Sequence, residues 1–155
     1  MQMFKIEANG LSQLREALSQ AALPFDDLSE PGRQFFRFEM DGNWIAYGGL
    51  EGSGQDMLLR SLVVSDSHRG KGLGKAVLSE LEQYAAFQGG LRLHLLTQSA
   101  TGFFTANGYE IFDRGEAPVA ISQTVQFKHL CPASATYLRK SLGAAVVTEQ
   151  FAGSR

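Results

Sequence analysis

Apolar residues recur along the chain at two different spacings, and the spacing changes with the segment. Leu11, Leu14, Ala17, Leu18 and Ala21 fall three and four apart, which predicts a helix over 11–22. Asn9 or Gly10 opens it, and Pro24 stops it. Before it, Phe4-Lys5-Ile6-Glu7 reads as a short first strand, and after it Ser29-Glu30-Pro31-Gly32 reads as a loop. Two strands are predicted over 34–40 and 43–50, joined by Asp41-Gly42, a pair suited to a tight hairpin. The turn at 51–55 leads to a third strand over 57–64. The helical spacing returns in Leu73, Val77, Leu81, Tyr84 and Ala85, predicting a helix over 72–88 that ends at Gly89-Gly90. Leu91, Leu93 and Leu95 then alternate, as a strand over 91–96 requires. A short helix over 100–106, ended by Asn107-Gly108, and a strand over 109–113 follow. Pro118 opens another helix carrying Val119, Ile121, Ser122 and Val125, and 135–140 supplies the last strand.

This order makes the chain α/β (α+β), with an antiparallel N-terminal half and a strand–helix–strand unit in the middle. A right-handed parallel crossover is expected from the 57–64 strand to the 91–96 strand. No repeat or linker divides the sequence, so one domain over 1–142 with a tail over 143–155 is expected. A chain of 155 residues buries about two-thirds of its unfolded surface, enough for a real core.

Composition narrows the function mainly by exclusion. The formal net charge is -2 with both signs interspersed, so no nucleic-acid partner is expected. No apolar run has the length of a membrane span, and the N-terminus lacks the pattern of an export signal. Cys131 is the only cysteine, so an internal disulfide is impossible and a cytoplasmic location is expected. His68, His94 and His129 have no metal-binding spacing, and no metal is expected.

The chemistry concentrates where the 57–64 strand passes into the following helix. Arg69-Gly70-Lys71-Gly72-Leu73-Gly74 places three glycines and two cations at a helix start. Backbone N–H groups there can turn toward the oxygens of a diphosphate, aided by the helix dipole. The spacing is neither Gly-x-Gly-x-x-Gly nor the loop of nucleotide triphosphatases.

These six residues match the Arg/Gln-x-x-Gly-x-Gly/Ala signature, and the chain resembles the GNAT superfamily of acyl-CoA-dependent N-acetyltransferases over roughly residues 4–140. Leu62-Val63-Val64 resembles the strand before that signature. The stretch from Ala100 to Tyr109 resembles the family's later short helix. More narrowly, 59–64, 95–97 and 130–135 resemble small bacterial members associated with arsenic-resistance operons. The resemblance implies a GNAT-like fold, with a mixed central sheet, a splayed parallel strand pair and flanking helices. It also implies acetyl-CoA as acetyl donor. Leu62, Val63 and Val64 would then meet the thioester and pantetheine through the backbone, Arg69 to Gly74 would hold the diphosphate, and Phe103 and Phe104 would line the cofactor's other side. A homodimer is the family-based expectation for assembly.

Acetyl transfer needs a neutral amine aligned with the thioester, a fixed donor for the developing oxyanion and an acceptor for the amine proton. The N–H near Leu62 is the expected oxyanion donor. Glu51, at the end of the hairpin strand, is the first choice for the base or water-positioning group, with Glu39 and Asp56 as weaker alternatives. Arg37 and Arg60 are candidate anchors for an acidic group on the acceptor, and Arg60 is expected to share a strand face with Leu62. Phe104 stands where many family members carry a tyrosine acid, so the proton donor to the leaving thiolate is open. Tyr109 and Tyr137 serve only if their strands point them inward. The expected activity is acetylation of a small primary amine, an amino acid or an amino-acid-like toxin. The alternatives are a protein or peptide acetyltransferase and an inactive acyl-CoA-binding protein.

Overall fold

The computed structural model describes residues 1–143. The expected tail, apart from its first residue, lies outside the described residues. Eleven regular elements follow in order. They are β1 (Gln2–Lys5), α1 (Leu11–Gln20), β2 (Arg33–Met40), β3 (Asn43–Glu51), β4 (Asp56–Val64), α2 (Leu73–Phe87), β5 (Arg92–Thr97), α3 (Thr101–Ala106), β6 (Glu110–Phe112), α4 (Val119–Ser122) and β7 (Thr136–Ser141). The strands form one mixed sheet in the order β1-β2-β3-β4-β5-β7-β6. Its parallel pair is β4 with β5, in the register Asp56↔Arg92, Met57↔Leu93 and Leu58↔His94.

The described residues divide into two compact units, residues 1–51 with 59–81 and residues 52–58 with those from 82 onward. In the first unit β1, β2 and β3 form an antiparallel meander. Asp41 and Gly42 both take positive φ, 53° and 80°, as a two-residue primed turn demands. Helix α1 stops at Gln20, two residues earlier than its spacing predicts. Ala22 turns to φ 57°, and the Leu23 N–H donates to the Leu18 carbonyl, closing the helix end. Leu14 and Leu18 are fully buried and cluster with Leu28, Phe35, Tyr47 and Val63. Trp44, Ile6 and Phe25 pack against that cluster. Helix α2 begins in this unit and lies close to β3: a Cβ on Gly48 would stand 2.5 Å from Leu81 Cδ1.

In the second unit β5 and β6 both pair antiparallel with β7. Leu93 and Leu95 are buried as the alternation requires, whereas Leu91 lies before the strand and is exposed. The helix expected after Pro118 is only the four residues of α4. A single π-helical turn over Gln126–Leu130 follows, and Ile121 and Phe127 cluster with Leu58 and Tyr137. First-strand pairing begins at Gln2↔Glu39, which shifts β1 two residues earlier than expected.

Candidate active site

The glycine loop sits in the first unit between β4 and α2. Asp66–His68 forms one 3₁₀ turn, and α2 starts at Leu73. Gly70 and Gly72 take φ 78° and 77°, and a Cβ on either would meet no atom within 4 Å. Left-handed torsions at alternate residues turn successive N–H groups toward one side, as an anion cradle requires. The open space fits a diphosphate there. Arg69 and Lys71 are exposed, and Arg69 is steadied by its Nε, which donates to the Val64 carbonyl at 3.2 Å. The His68 ring nitrogen Nδ1 lies 2.5 Å from Ser65 Oγ, so this imidazole braces the loop entrance.

Strand β4 has a feature that its sequence does not signal. Ser61 is not glycine, yet it sits at φ 60° in mid-strand. A positive φ of this kind costs of order 1–3 kcal/mol and persists only where the surroundings impose it. It interrupts regular strand geometry at the residue between Arg60 and Leu62. Residues 57–61 are all buried, Leu62 is half-buried, Val63 is buried and Val64 is half-buried.

Arg60 is therefore not presented as an open substrate anchor. Its side chain is 0% exposed and bound to carboxylates. NH1 donates to Asp27 Oδ2 at 2.7 Å and to Glu51 Oε1 at 2.9 Å, and NH2 to Asp27 Oδ1 at 2.5 Å. Nε donates to Ser61 Oγ at 3.3 Å, and the Phe35 ring lies 5.4 Å from Cζ. Arg33 completes the group, with Nε donating to Asp27 Oδ2 at 2.9 Å and NH2 lying 3.6 Å from Glu51 Oε2. Burial alone would raise the Asp27 carboxyl, but the Arg60 and Arg33 guanidiniums outweigh it and hold it below its ordinary range. Glu51 thus ends β3 as a buried carboxylate between two guanidiniums. Asp27 and Arg33 were not signalled by spacing, because one comes from the α1–β2 connection and the other from the start of β2.

Arg37 is more accessible. Its Nε donates to Glu39 Oε2 at 2.7 Å and NH1 to the Tyr47 hydroxyl at 3.2 Å, with a third of the side chain exposed. Glu39 is thereby paired rather than free.

In the second unit, Phe104 is buried edge-on to both Phe103 and Tyr109. The Tyr109 hydroxyl donates to Glu82 at 2.9 Å, beside Lys140, and burial then the Glu82 charge raise its ionisation well above the ordinary tyrosine value. Asp56 holds Arg92 through Nε at 2.7 Å and His94 through Nε2 at 2.7 Å. The hydrogen bond and charge of Arg92 keep its carboxyl low despite burial. Cys131 is half-buried with Sγ 4.0 Å from Gln126 Oε1, and no metal-binding group of His, Cys, Asp and Glu occurs among the described residues. No described helix is long and apolar enough to cross a membrane.

Residues 31–111, just over half of the chain, match the family described as "Acetyltransferase (GNAT) domain". The chain belongs to the GNAT acetyltransferase family. Its mixed sheet with one parallel pair is the GNAT fold, and GNAT enzymes use acetyl-CoA as acetyl donor. Among solved structures, Rv2747 from Mycobacterium tuberculosis, in complex with CoA and NLQ, superposes with a TM-score of 0.74 at 17% identity, covering 92% of this chain and 100% of that one. The ribosomal-protein-S18-alanine N-acetyltransferase from Escherichia coli gives 0.68 at 14% identity, covering 93% and 95%. N-acetylglutamate synthase from Neisseria gonorrhoeae, complexed with coenzyme A and N-acetyl-glutamate, gives 0.70 at 16% identity over 92% of this chain. This GNAT chain spans only 36% of that synthase's length.

Proposed function

We propose that this GNAT protein acetylates the primary amine of a small molecule, an amino acid or an amino-acid-like toxin, by direct attack on the thioester of acetyl-CoA. The bend at Ser61 is the observation that carries the proposal. It interrupts regular strand geometry one residue before Leu62 and re-aims the backbone there, in the strand that runs into the glycine loop. A fixed N–H near Leu62 then stabilises the oxyanion without reorganising. Leu62, Val63 and Val64 meet the pantetheine through backbone groups and Arg69 to Gly74 hold the diphosphate; for Phe103 and Phe104, in the second unit, a role at the cofactor's other side rests on the family resemblance alone.

Glu51 takes the amine proton, directly or through a water. The C–N bond forms first and the carbonyl electron pair moves onto oxygen; collapse of that intermediate then breaks the C–S bond, its electron pair leaves on sulfur, and the proton passes on to the thiolate or to water. Coenzyme A is a good leaving group, so this route needs no tyrosine acid at Phe104. With only 9% of its side chain exposed, Glu51 favours a narrow acceptor. Arg37 is the anchor for an acidic group on that acceptor, while Arg60 acts from behind Glu51. The N-acetyl-glutamate held by the synthase, an acetylated amino acid, agrees with this class. The resemblance to members associated with arsenic-resistance operons extends it to an amino-acid-like toxin. A homodimer in the cytoplasm is part of the same reading.

Peptide acetylation is the second reading, favoured by the likeness to the S18-alanine acetyltransferase. An acceptor screen separates the two. Acetyl-CoA is offered with free amino acids and amines in one arm and with peptides of varied N-terminus in the other, reading thiol release and acceptor mass together. Acetylated small amines support the proposal. Acetylated peptides alone replace it with the second reading. Tight CoA binding with no product in either arm makes the protein an acyl-CoA binder.

A further inference from the structure

Two carboxylates and two guanidiniums meet in the first unit, and one of the carboxylates has no part in the chemistry above. The charged groups are Asp27 from the α1–β2 connection, Arg33 from β2, Glu51 from β3 and Arg60 from β4. Their charges sum to zero. Side-chain exposures of 5% for Asp27, 9% for Arg33, 9% for Glu51 and 0% for Arg60 place all four away from bulk water. Buried charges are tolerated when they are paired and hydrogen-bonded, and removing one member leaves the others uncompensated.

We infer that Asp27 is a positioning residue for acetyl transfer. It fixes the Arg60 guanidinium that holds the Glu51 carboxylate and braces the Ser61 bend, and it shares the positive charge of Arg60 and Arg33 with Glu51. The inference rests on the reading of Glu51 as the base.

The geometry shows how one residue serves both places. Asp27 grips Arg60 through both carboxylate oxygens, which fixes the plane of the guanidinium. The nitrogen that meets Asp27 Oδ2 also donates to Glu51 Oε1, so the two acids divide one donor. The remaining nitrogen, Nε, donates to Ser61 Oγ at 3.3 Å, beside the backbone that turns at φ 60°. Asp27 also accepts from Arg33, whose other end lies 3.6 Å from Glu51 Oε2. With Asp27 neutral, Glu51 alone faces two guanidiniums, which stabilise its charged form more strongly. With Arg33 neutral, two acids share one guanidinium, and the charged form of Glu51 is stabilised less.

Opposite signs from two variants make the test. Carboxyl carbon-13 NMR follows the titration of Glu51 in the full chain, without need of any acceptor. Asp27→Asn and Arg33→Gln move its midpoint in opposite directions, lower in the first and higher in the second. Asp27→Glu restores the wild-type midpoint. A packing role alone lowers melting temperature in both variants and moves neither midpoint. If Asp27→Asn does not fold, the upward shift in Arg33→Gln still decides the matter. Midpoints unmoved, or moved the same way, overturn the inference. The reading of Glu51 fails separately if these shifts occur while Glu51→Gln keeps full turnover with an acceptor from the screen.

Discussion

The hydroxyl of Tyr137 lies 2.8 Å from Nδ1 of His94, and both side chains are buried. The other ring nitrogen, Nε2, lies 2.7 Å from Asp56 Oδ1. An ionised carboxylate only accepts, so Nε2 carries the hydrogen and Nδ1 accepts the Tyr137 proton. The three side chains come from β4, β5 and β7, and they tie those strands together. Tyr137→Phe removes the donor and leaves Nδ1 buried and unpaired. It is expected to cost about 1–3 kcal/mol, a fall in Tm of roughly 2–4 °C per kcal/mol for a chain of this size. Thermal and urea melts check it.

Acid is expected to unfold the protein in two stages. Burial lowers the His94 pKa from its ordinary 6.5, and the Asp56 partner only partly offsets this. The unfolded chain therefore binds this proton more readily than the folded one. The stability is complete above pH 6.5 and is lost progressively as pH falls below that value through the lower folded-state pKa. Asp56 and Asp27 are held below their ordinary 3.8 in the folded state, so a second loss begins as pH falls toward and below that value. Urea midpoints measured from pH 8 to 3 show both stages. His94→Gln, which cannot titrate, lacks the first.

The readable parts of this chain are those where periodicity and backbone demand coincide. The Asp41-Gly42 turn, the face of α1 and the entry to α2 follow directly from residue type. Ser61 is different: its positive φ is imposed by packing, and serine gives no local sign of it. Arg60 reads in the sequence as an anchor, and only the structure shows its side chain buried on Asp27 and Glu51. Asp27 and His94 escape notice differently. Their importance comes from partners 33 and 43 residues away, Arg60 and Tyr137, and no local spacing encodes such distances. Phe104 was placed correctly in a short helix, but only the structure joins it to Tyr109.

Tyr109 is expected to stabilise the protein rather than supply a proton. Its hydroxyl is spent on Glu82, and its raised ionisation makes it a poor acid at neutral pH. Tyr109→Phe should cost about 1.5–3 kcal/mol, the range for hydrogen bonds to a charged group, with turnover per folded molecule unchanged. Melting curves and steady-state kinetics on the same preparation check both parts.

Substituting the loop glycines should weaken acetyl-CoA binding with little effect on packing. A Cβ at Gly70 or Gly72 meets nothing, but φ near 78° and 77° penalises any side chain. At about 1–2 kcal/mol for a left-handed residue, KM for acetyl-CoA rises roughly 5–30-fold in Gly72→Ala. Gly54→Ala, also in open space but without a positive φ, leaves it unchanged. Donor titrations at saturating acceptor distinguish the two.

On this protein an acetyl group is expected to pass from thioester sulfur to acceptor nitrogen. Acetyl-CoA carrying a carbon-13 label in its carbonyl follows that group directly, in the presence of the small-amine acceptors. The label is expected to leave the thioester and appear as an amide on a primary amine, with one free thiol for each amide formed. Label that stays in bound thioester, or that appears only as acetate, would contradict it.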